Sequence, residues 1–265
     1  MGETTSASDI VAILWPLAKE KYVGYIQVGP MSECIRGILA AQGFQRLCAT
    51  ADNWTLAWGS TMPEDCIARM HSKQAHNHIP GWDKLNNKGM LAEIGEKCRA
   101  HDQKLADNLP KSWVLPGGMK NLLRDSASGG GPYIMKPIGG TRGRGIKLYT
   151  ELTEEHLNGV SRVVVQRYIK NPDLINGRKY DLRLYVCATS ACPMRIYLHE
   201  QGYARLCSQE YDLKRPEDLF RHLTNSNFQK LHKGYDLNRH STRQAAAGNK
   251  WHLDVVKEHW RKKGM

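Results

Sequence analysis

The sequence lacks the segments that would direct a chain into a membrane or a secretory route. No apolar run approaches the ~18 residues that cross a bilayer, and the opening MGETTSASDI lacks the charged-then-apolar pattern of a signal peptide. The seven cysteines form no C-x-x-C pair, so neither a disulfide framework nor a zinc finger is predicted. We therefore expect a soluble protein of a reducing compartment, without a membrane span and located in the cytoplasm.

Acidic residues are also in short supply. Thirty-eight Lys and Arg against 26 Asp and Glu give a formal net charge of +12, which predicts an acidic partner such as nucleic acid, an anionic membrane or an acidic polypeptide. The aromatic and basic residues do not interleave in the manner that binds nucleic acid, so we expect no nucleic-acid partner. An apolar content of 41% over 265 residues is typical of a globular chain of two or three small domains.

A loop rich in glycine and arginine is the clearest chemical signal. In YIMKPIGGTRGRGIKLY, residues 133–149, Lys136 ends an apolar run, and Arg142 and Arg144 follow among glycines. Glycine lets backbone N–H groups approach an anion closely, so the loop predicts phosphate binding.

Three common nucleotide-binding motifs are nevertheless missing. A Walker A loop ends in Gly-Lys-Ser/Thr, but Ile146 follows Gly145. A dinucleotide fingerprint needs a third glycine where Leu148 stands. A kinase places its lysine after the glycine-rich loop and carries H-R-D and D-F-G, and none of these features is found. These three folds are therefore not expected.

Local patterns predict an α/β organisation. Ser32 as N-cap and Gly43 as stop delimit a helix between runs typical of strands. In KYDLRLYV, residues 179–186, alternation predicts a core face and a polar face; the core face consists of Tyr180, Leu182, Leu184 and Val186, and the polar face of Lys179, Asp181, Arg183 and Tyr185. We predict a disordered N-terminus at 1–19, an N-terminal α/β domain at 20–79, a central domain at 80–170 and a C-terminal domain at 171–265.

The order of these motifs resembles a known family. Four features in this order resemble the ATP-grasp architecture. They are a strand lysine, a glycine-arginine loop, a strand with Gln166 and a strand with a Lys-x-Asp-x-Arg face. More specifically, YIMKPIGGTRGRGIKLY, VVQRYIKNPDLINGRKYDLRLYV, RIYLHEQGYARLC and HLTNSNFQK resemble the tubulin tyrosine ligase-like family, as do DNWTLAWGS, HNHIPGWDKLNNKGML and GNKWHL. The resemblance implies an ATP-grasp fold with an N-terminal α/β domain, a central domain and an incomplete C-terminal domain.

The resemblance also implies roles for individual residues. Lys136 and Lys179 would hold phosphate oxygens, and Asp181 would contact the nucleotide or its metal. Arg205 would bind the carboxylate of an incoming amino acid, with Lys230 nearby, and it completes the predicted catalytic set with the two lysines. The implied nucleotide-binding set, in which the segment from Gln166 faces adenine, is Lys136, Arg142, Gly143, Arg144, Gly145, Ile146, Gln166, Arg167, Tyr168, Ile169, Lys179, Asp181, Thr224 and Asn225.

The final residues depart from the family pattern. Complete members supply an aspartate and a later Glu-x-Asn pair that hold Mg²⁺, whereas VVKEHWRKKGM has Glu258 as its last carboxylate. Asp181 alone provides too few oxygen ligands for a divalent cation, so we assign no metal ligands. His71, His76 and His78 lack acidic or cysteine partners and are not expected to bind zinc. We expect a truncated chain or a binding remnant, with uncovered sheet edges or apolar faces and low stability.

The function implied by the resemblance is ATP-dependent ligation of an amino acid to a carboxylate. With ATP and Mg²⁺ as cofactors, the protein would add free glutamate to the acidic C-terminal tail of tubulin, on microtubules, through an acyl phosphate. We expect a monomer of the cytoplasm and cytoskeleton, with the cilium, flagellum or basal body as further locations. Glycine or tyrosine ligation stays an alternative within the family, and binding of ATP or tubulin without catalysis is the alternative outside the enzymes.

Overall fold

The computed structural model describes residues 24–102, 104, 108–235, 243 and 246–265. The segment predicted to be disordered, 1–19, lies outside the described residues. The chain divides into two compact units, Met1–Lys84 with Val186–Glu200 and Leu85–Tyr185 with Gln201–Met265. Helices and sheets are combined throughout, which confirms the mixed α/β class. Among the described residues, no helix is long and apolar enough to cross a membrane.

The first unit is built on a parallel sheet. Its elements are β1 (Gly24–Val28), α1 (Glu33–Ala41), β2 (Gln45–Arg46), β3 (Leu56–Gly59), α2 (Glu64–Ala68) and β4 (Ala75–His76). The strand order is β2-β1-β3-β4, with parallel pairing. As predicted, α1 begins after the N-cap Ser32, whose side chain accepts a hydrogen bond from the Ile35 N–H at 3.4 Å. Gly43 follows the helix end with a φ of 81°, a conformation that favours glycine.

Both faces of this parallel sheet are covered. Tyr25 packs with Leu39 and Leu56 in one buried cluster, whereas the next residue, Ile26, packs with Trp54 in another. Adjacent strand residues point to opposite faces. The sheet is therefore buried on its two sides, as is typical of parallel sheets.

The second unit contains an antiparallel sheet with the strand order β5-β8-β6-β7. Its elements are α3 (Lys88–His101), β5 (Ser112–Leu115), α4 (Met119–Ala127), β6 (Tyr133–Pro137), β7 (Lys147–Tyr149), α5 (Glu154–Leu157) and β8 (Val163–Arg167). On one face, Tyr133 and Met135 pack with Leu122 of α4 in a buried cluster. Since side chains alternate along β6, Lys136 points to the opposite face.

A further sheet has the order β12-β11-β10-β9. Its elements are β9 (Leu174–Ile175), β10 (Arg178–Ala191), β11 (Met194–Leu206), α6 (Ser226–Gln229), β12 (Lys250–His252) and α7 (Leu253–Lys262). The outer ends of β10 and β11 belong to the first unit. Short 3-10 helices span Trp82–Asn86 and Leu219–Arg221.

A buried carboxylate fastens α4 to the antiparallel sheet. Asp125 accepts hydrogen bonds from Arg167 at 2.6 and 3.0 Å, from Lys111 at 3.1 Å and from the Tyr133 hydroxyl at 2.9 Å. Its side chain is only 4% exposed. Burial works to raise the pKa of Asp125, but the hydrogen bonds outweigh burial and hold the pKa below its ordinary value. The stabilisation is therefore present above about pH 4 and is lost as the pH falls through the folded-state pKa.

The predicted core face of β10 is covered only at one end. Tyr180 packs against the buried cluster that contains Trp251, but Leu182 is 37%, Leu184 39% and Val186 61% exposed. The prediction that these last three residues are core is wrong, because the packing of α7 reaches only the Tyr180 end of the strand.

We expect Asp125→Asn to destabilise the protein by about 2–3 kcal/mol, because an amide leaves Arg167 and Lys111 without their negative partner. Urea unfolding at about pH 7, followed by circular dichroism, measures the change. The matched control is Asp65→Asn, which breaks an exposed pair with Arg69 and should alter stability by less than about 0.5 kcal/mol. Equal effects of the two substitutions would contradict the anchoring role of Asp125.

Candidate active site

Lys136 lies near the end of β6, on the face of the antiparallel sheet that α4 does not cover. Its Nζ donates a hydrogen bond to Gln166 Oε1 at 2.8 Å. Gln166 Nε2 donates in turn to Ser112 Oγ at 2.8 Å. Burial lowers the pKa of Lys136, and the charge of Lys88 lowers it further. The acceptor is thus a neutral carboxamide, which orients the lysine without balancing its charge.

Lys179 of β10 has surroundings of the same kind. Its Nζ donates to the Tyr168 hydroxyl at 2.8 Å and to the His222 carbonyl oxygen at 3.0 Å, and it lies 4.3 Å from the centre of the Tyr168 ring. Burial lowers the pKa of Lys179 to about 8, with a contribution from the charge of Lys136. Burial also lowers the pKa of the His222 ring, and the His222 group that Lys179 bonds is the neutral backbone carbonyl.

Lys88, which the sequence did not reveal, is a third cation of this site. It is the first residue of α3, whose N-cap Asn87 accepts a hydrogen bond from the Gly89 N–H at 3.0 Å. Lys88 Nζ bonds the carbonyl oxygen of Gly140 and lies 3.4 Å from that of Ile138. The sequence LNNKGML indicates a helix start. The contact of Lys88 with Gly140 could not be predicted, because Lys88 is far along the chain from the glycine-arginine loop.

These three residues, Lys88, Lys136 and Lys179, form what we call the lysine cluster. Within the described residues, none of them makes a salt bridge. Partly buried cations held by neutral oxygens cost free energy that a bound anion would recover. The lowered pKa values of Lys136 and Lys179 are of a kind typical of functional sites, so the cluster is a candidate anion-binding site.

The glycine-arginine loop connects β6 to β7 beside this cluster. Arg142, Gly143 and Gly145 have positive φ angles of 60°, 81° and 69°, which suit glycine and are uncommon for arginine. Arg142 and Arg144 are exposed, and neither makes an ion pair with the part of the chain that the structure describes. A Cβ on Gly143 would lie 3.6 Å from Asn225 Oδ1. The structure therefore brings the loop against a second predicted nucleotide contact.

The predicted adenine segment begins at Gln166, whose carboxamide is occupied by the hydrogen bonds described above. Arg167 turns its side chain to the opposite face of the sheet, where it binds Asp125. The backbone N–H groups of Arg167 and Tyr168 already donate to the carbonyl oxygens of Lys111 and Pro132, at 2.8 Å each. Tyr168 is buried beneath Lys179, and Ile169 is 58% exposed. Of this segment, the side chain of Ile169 is therefore the exposed apolar group.

Asp181 and Arg205 pair with each other. Arg205 Nε donates to Asp181 Oδ1 at 2.7 Å, and Arg205 Nη2 donates to Asp181 Oδ2. Thr224 Oγ1 donates to the same Oδ2 at 2.8 Å. The side chains of Arg205 and Asp181 are 17% and 37% exposed, and the hydrogen bonds to Asp181 raise the pKa of Arg205. The structure joins the residue predicted to bind the amino acid to one predicted to bind the nucleotide.

The other predicted residues lie around α6 and the end of the loop. Thr224 is buried, Asn225 is the N-cap of α6, and Lys230 is its exposed C-cap. Ile146 packs against the buried cluster that contains Leu223. This packing holds the end of the loop close to the chain that enters α6.

The described residues do not fit a magnesium ion. Mg²⁺ requires an octahedral set of oxygen ligands. The two carboxylate oxygens of Asp181 already accept hydrogen bonds from Arg205 and Thr224. Within the described ranges, no group of three or more His, Cys, Asp or Glu could hold a metal ion. The rings of His76 and His78 are 5.2 Å apart, but each bonds a backbone carbonyl oxygen.

The described residues form an α+β fold with a candidate anion-binding site at the lysine cluster. The tubulin-tyrosine ligase family matches residues 67–264, which is well over half of the chain. The chain therefore belongs to the tubulin-tyrosine ligase family, and the resemblance seen in its motifs is confirmed.

Several relatives are tubulin-modifying enzymes. Tubulin polyglutamylase TTLL5 of Homo sapiens is 31% identical over 252 residues, which cover 94% of this chain and 19% of the relative. Tubulin monoglutamylase TTLL4 of Mus musculus is 33% identical over 219 residues, covering 81% and 18%. Tubulin polyglutamylase TTLL6 of Homo sapiens is 32% identical over 233 residues, covering 84% and 25%. The chain spans about a fifth to a quarter of the length of these relatives.

We expect Lys179→Met to stabilise the protein by about 1–2 kcal/mol at about pH 7 in the absence of nucleotide. The substitution removes a cation whose burial lowers its pKa to about 8, although the bonds to Tyr168 and His222 are lost and offset part of the gain. The charged form costs stability below about pH 8, and this cost falls as the pH rises towards the ordinary lysine pKa of about 10.4.

Urea unfolding at about pH 7 and about pH 9.5 measures this gain, which should shrink at the higher pH. Lys147→Met is the control, because Lys147 is an exposed lysine of β7. A loss of stability on Lys179→Met that is equal at the two pH values would show that the charge of Lys179 carries no cost.

Proposed function

We propose that this chain is an ATP-dependent carboxylate-amine ligase with an ATP-grasp fold, and that it adds glutamate to the acidic C-terminal tail of tubulin. The lysine cluster carries the proposal, because it places three cations with neutral acceptors beside a glycine-arginine loop. A triphosphate supplies the negative charge that such a site attracts. The family match supports a ligase, and the names of the relatives support glutamate and tubulin.

Each part of the site would meet a different part of the triphosphate. Lys136 and Lys179 would exchange their neutral acceptors for phosphate oxygens, which form stronger, charge-assisted hydrogen bonds. Lys88 would hold the start of the loop by its carbonyl oxygens and add a third charge. Arg142 and Arg144 would close over the phosphates from the loop. Since both strand lysines are already partly desolvated, little further desolvation is required on binding.

The reaction would join a carboxylate to an amine in two steps. ATP supplies a phosphoryl group that converts a carboxylate oxygen of the tubulin tail into a leaving group, and ADP departs. The amine of the incoming glutamate then attacks the acyl carbon, loses a proton and releases phosphate, which leaves an amide. Lys136 and Lys179 would offset the negative charge on the transferring group, and Arg205 would orient glutamate through its carboxylate.

The charge of the chain supports an acidic partner. A net charge of +12 attracts an acidic polypeptide such as the tubulin tail, and the attraction weakens as salt screens it. We propose that the protein acts as a monomer in the cytoplasm, on the cytoskeleton or in a cilium, flagellum or basal body.

Binding without turnover is the second candidate function. One observation favours it: Asp181 directs its carboxylate to Arg205 and Thr224 rather than to a metal position. In that case the same surfaces would hold ATP and the tubulin tail and transfer nothing.

Transfer of labelled glutamate to taxol-stabilised microtubules distinguishes the two candidates. Residues 1–265 are incubated with ATP and Mg²⁺, with labelled tyrosine and glycine in parallel reactions. We expect labelling by glutamate that depends on ATP and that falls as salt is added. ATP binding without labelling by any amino acid would favour binding without turnover, and labelling by glycine or tyrosine alone would contradict the glutamate assignment.

Lys136→Ala is expected to weaken ATP binding by about 1.5–3 kcal/mol, because it removes a charge-assisted contact to phosphate. Isothermal titration calorimetry measures the affinity, and circular dichroism confirms the fold. The matched control is Lys147→Ala on the neighbouring strand β7, where the lysine is exposed; it should leave the affinity within about twofold. Unchanged ATP affinity in a folded Lys136→Ala variant would contradict the proposal that the lysine cluster binds the phosphates of ATP.

A further inference from the structure

We infer that the side chains of Tyr168 and His222 form a positioning pair for Lys179, in which His222 acts through the Tyr168 hydroxyl. The pair holds the lysine in place before ATP arrives. The inference rests on the proposed function and deepens it, because it names the residues that keep a phosphate-binding lysine in position. It gives the Tyr168 side chain a task other than direct contact with the nucleotide.

Separate elements of the second unit bring these residues together. Lys179 lies on β10, Tyr168 directly follows β8, and His222 follows the 3-10 helix Leu219–Arg221. Tyr168 is 7% exposed and His222 is 1% exposed. Their rings meet edge to face, with the ring centres 5.8 Å apart. Two rings buried against each other in a close-packed interior have little freedom to turn.

The three residues form a closed circuit of hydrogen bonds. Lys179 Nζ donates to the Tyr168 hydroxyl at 2.8 Å and to the His222 carbonyl oxygen at 3.0 Å. The Tyr168 hydroxyl in turn lies 3.2 Å from His222 Nδ1. A lysine has three N–H donors, and the third makes no hydrogen bond with the part of the chain that the structure describes. A first phosphate contact can therefore form on this N–H while the other two hold the lysine.

The other nitrogen of the imidazole sets the direction of the circuit. His222 Nε2 lies 3.0 Å from the carbonyl oxygen of Arg215, and a carbonyl oxygen only accepts. We therefore assign the proton of the neutral ring to Nε2, which leaves Nδ1 to accept from Tyr168. Burial favours this neutral form, because it lowers the pKa of His222. Burial also raises the pKa of Tyr168, so its hydroxyl keeps the proton that it donates.

His222 thereby controls how Tyr168 presents its oxygen. With the hydroxyl proton directed to His222, the lone pairs of the oxygen are left to Lys179. Without an acceptor at Nδ1, the buried hydroxyl turns towards another partner, and its lone pairs turn away from the lysine. A lysine that is free to rotate loses more conformational entropy when it binds phosphate than one that is already ordered.

Two other tasks of the same residues give different expectations. In the first, His222 only fastens the segment at Arg215 through its Nε2 bond. In the second, Tyr168 directs its proton to the hydroxyl of Tyr211, with which it interacts. Tyr211 donates its own proton to the Lys170 carbonyl oxygen at 2.6 Å, so its oxygen can accept. Substitutions at these positions separate the three tasks.

Calorimetry on the full chain measures the Kd of ATP for the variants, and circular dichroism confirms that each is folded. Tyr168→Phe removes the hydroxyl, and His222→Leu removes the acceptor of its proton. We expect each substitution to raise the ATP Kd about fivefold, because Lys179 is less ordered before binding. The double variant should lose little more than either single variant, since both act through the same hydroxyl.

His222→Asn is the variant that separates positioning from a structural role. The side-chain carbonyl of asparagine can take the place of Nδ1 and accept from Tyr168. Asparagine is too short to replace the Nε2 bond to Arg215. We therefore expect His222→Asn to keep the ATP Kd within about twofold of the wild-type value, although it loses the same structural contact as His222→Leu.

Two further tyrosine variants are matched controls. The Tyr180 hydroxyl also donates one hydrogen bond and accepts one, to Asp173 at 2.6 Å and from Trp260 at 2.9 Å. Tyr180→Phe therefore removes the same number of bonds as Tyr168→Phe, but at a distance from the lysine cluster. Tyr211→Phe removes the alternative acceptor of the Tyr168 proton. Both should leave the ATP Kd within about twofold.

Each contrary outcome overturns the inference. Equal losses in His222→Leu and His222→Asn would show that His222 serves only its bond to Arg215. A loss in Tyr211→Phe as large as in His222→Leu would assign the Tyr168 proton to Tyr211. Tighter ATP binding by Tyr168→Phe would show that the pair competes with phosphate for the lysine.

An unchanged ATP Kd in folded Tyr168→Phe, or fully additive losses in the double variant, would also overturn the inference. These results all require a wild-type chain that binds ATP. Failure of the wild-type chain to bind ATP would instead overturn the proposed function, and the inference with it.

Discussion

Two partly buried lysines, whose hydrogen bonds within the described residues all go to neutral oxygens, are the constraint on which the second unit depends. Lys136 relies on Gln166, and Lys179 relies on Tyr168 and on the His222 backbone. Neither contact neutralises the charge, so the fold carries an electrostatic cost at this place. The stable part of the unit lies on the opposite face of the antiparallel sheet, in the apolar cluster under α4 and in the Asp125 network. The lysines that cost stability therefore lie on one face of the antiparallel sheet, and the contacts that stabilise the unit lie on the other face.

The sequence could indicate which side chains share a face, because alternation along a strand fixes this. In β10, alternation places Lys179 and Asp181 on one polar face, and both make polar contacts in the structure. The pairing of Asp181 with Arg205 could not be predicted, since it depends on the register of two strands and on which of several possible partners a carboxylate selects. Lys88 was missed for a related reason: its contact to the loop at Gly140 is made by the start of a helix remote in sequence.

Features of the fold that depend only on neighbouring residues could also be predicted from the sequence. Ser32 and Gly43 delimit α1 because capping and a left-handed turn require only neighbouring residues. Alternation in β10 correctly groups Leu182 and Val186, but it carries no information about what covers them, and both are exposed. Burial is a property of the packing of whole elements, and here α7 extends along only part of the sheet.

The pKa of Lys179, measured with and without ATP, tests the central claim most directly. Side-chain NMR of isotope-labelled lysine follows the titration, and the Lys179→Met variant identifies the signal. We predict a pKa of about 8 without ATP and a rise towards the ordinary value of about 10.4 with ATP, because phosphate oxygens favour the charged form. By linkage, ATP affinity then falls as the pH rises through about 8. A pKa of Lys179 that stays the same when ATP is bound would contradict the claim that this lysine binds phosphate.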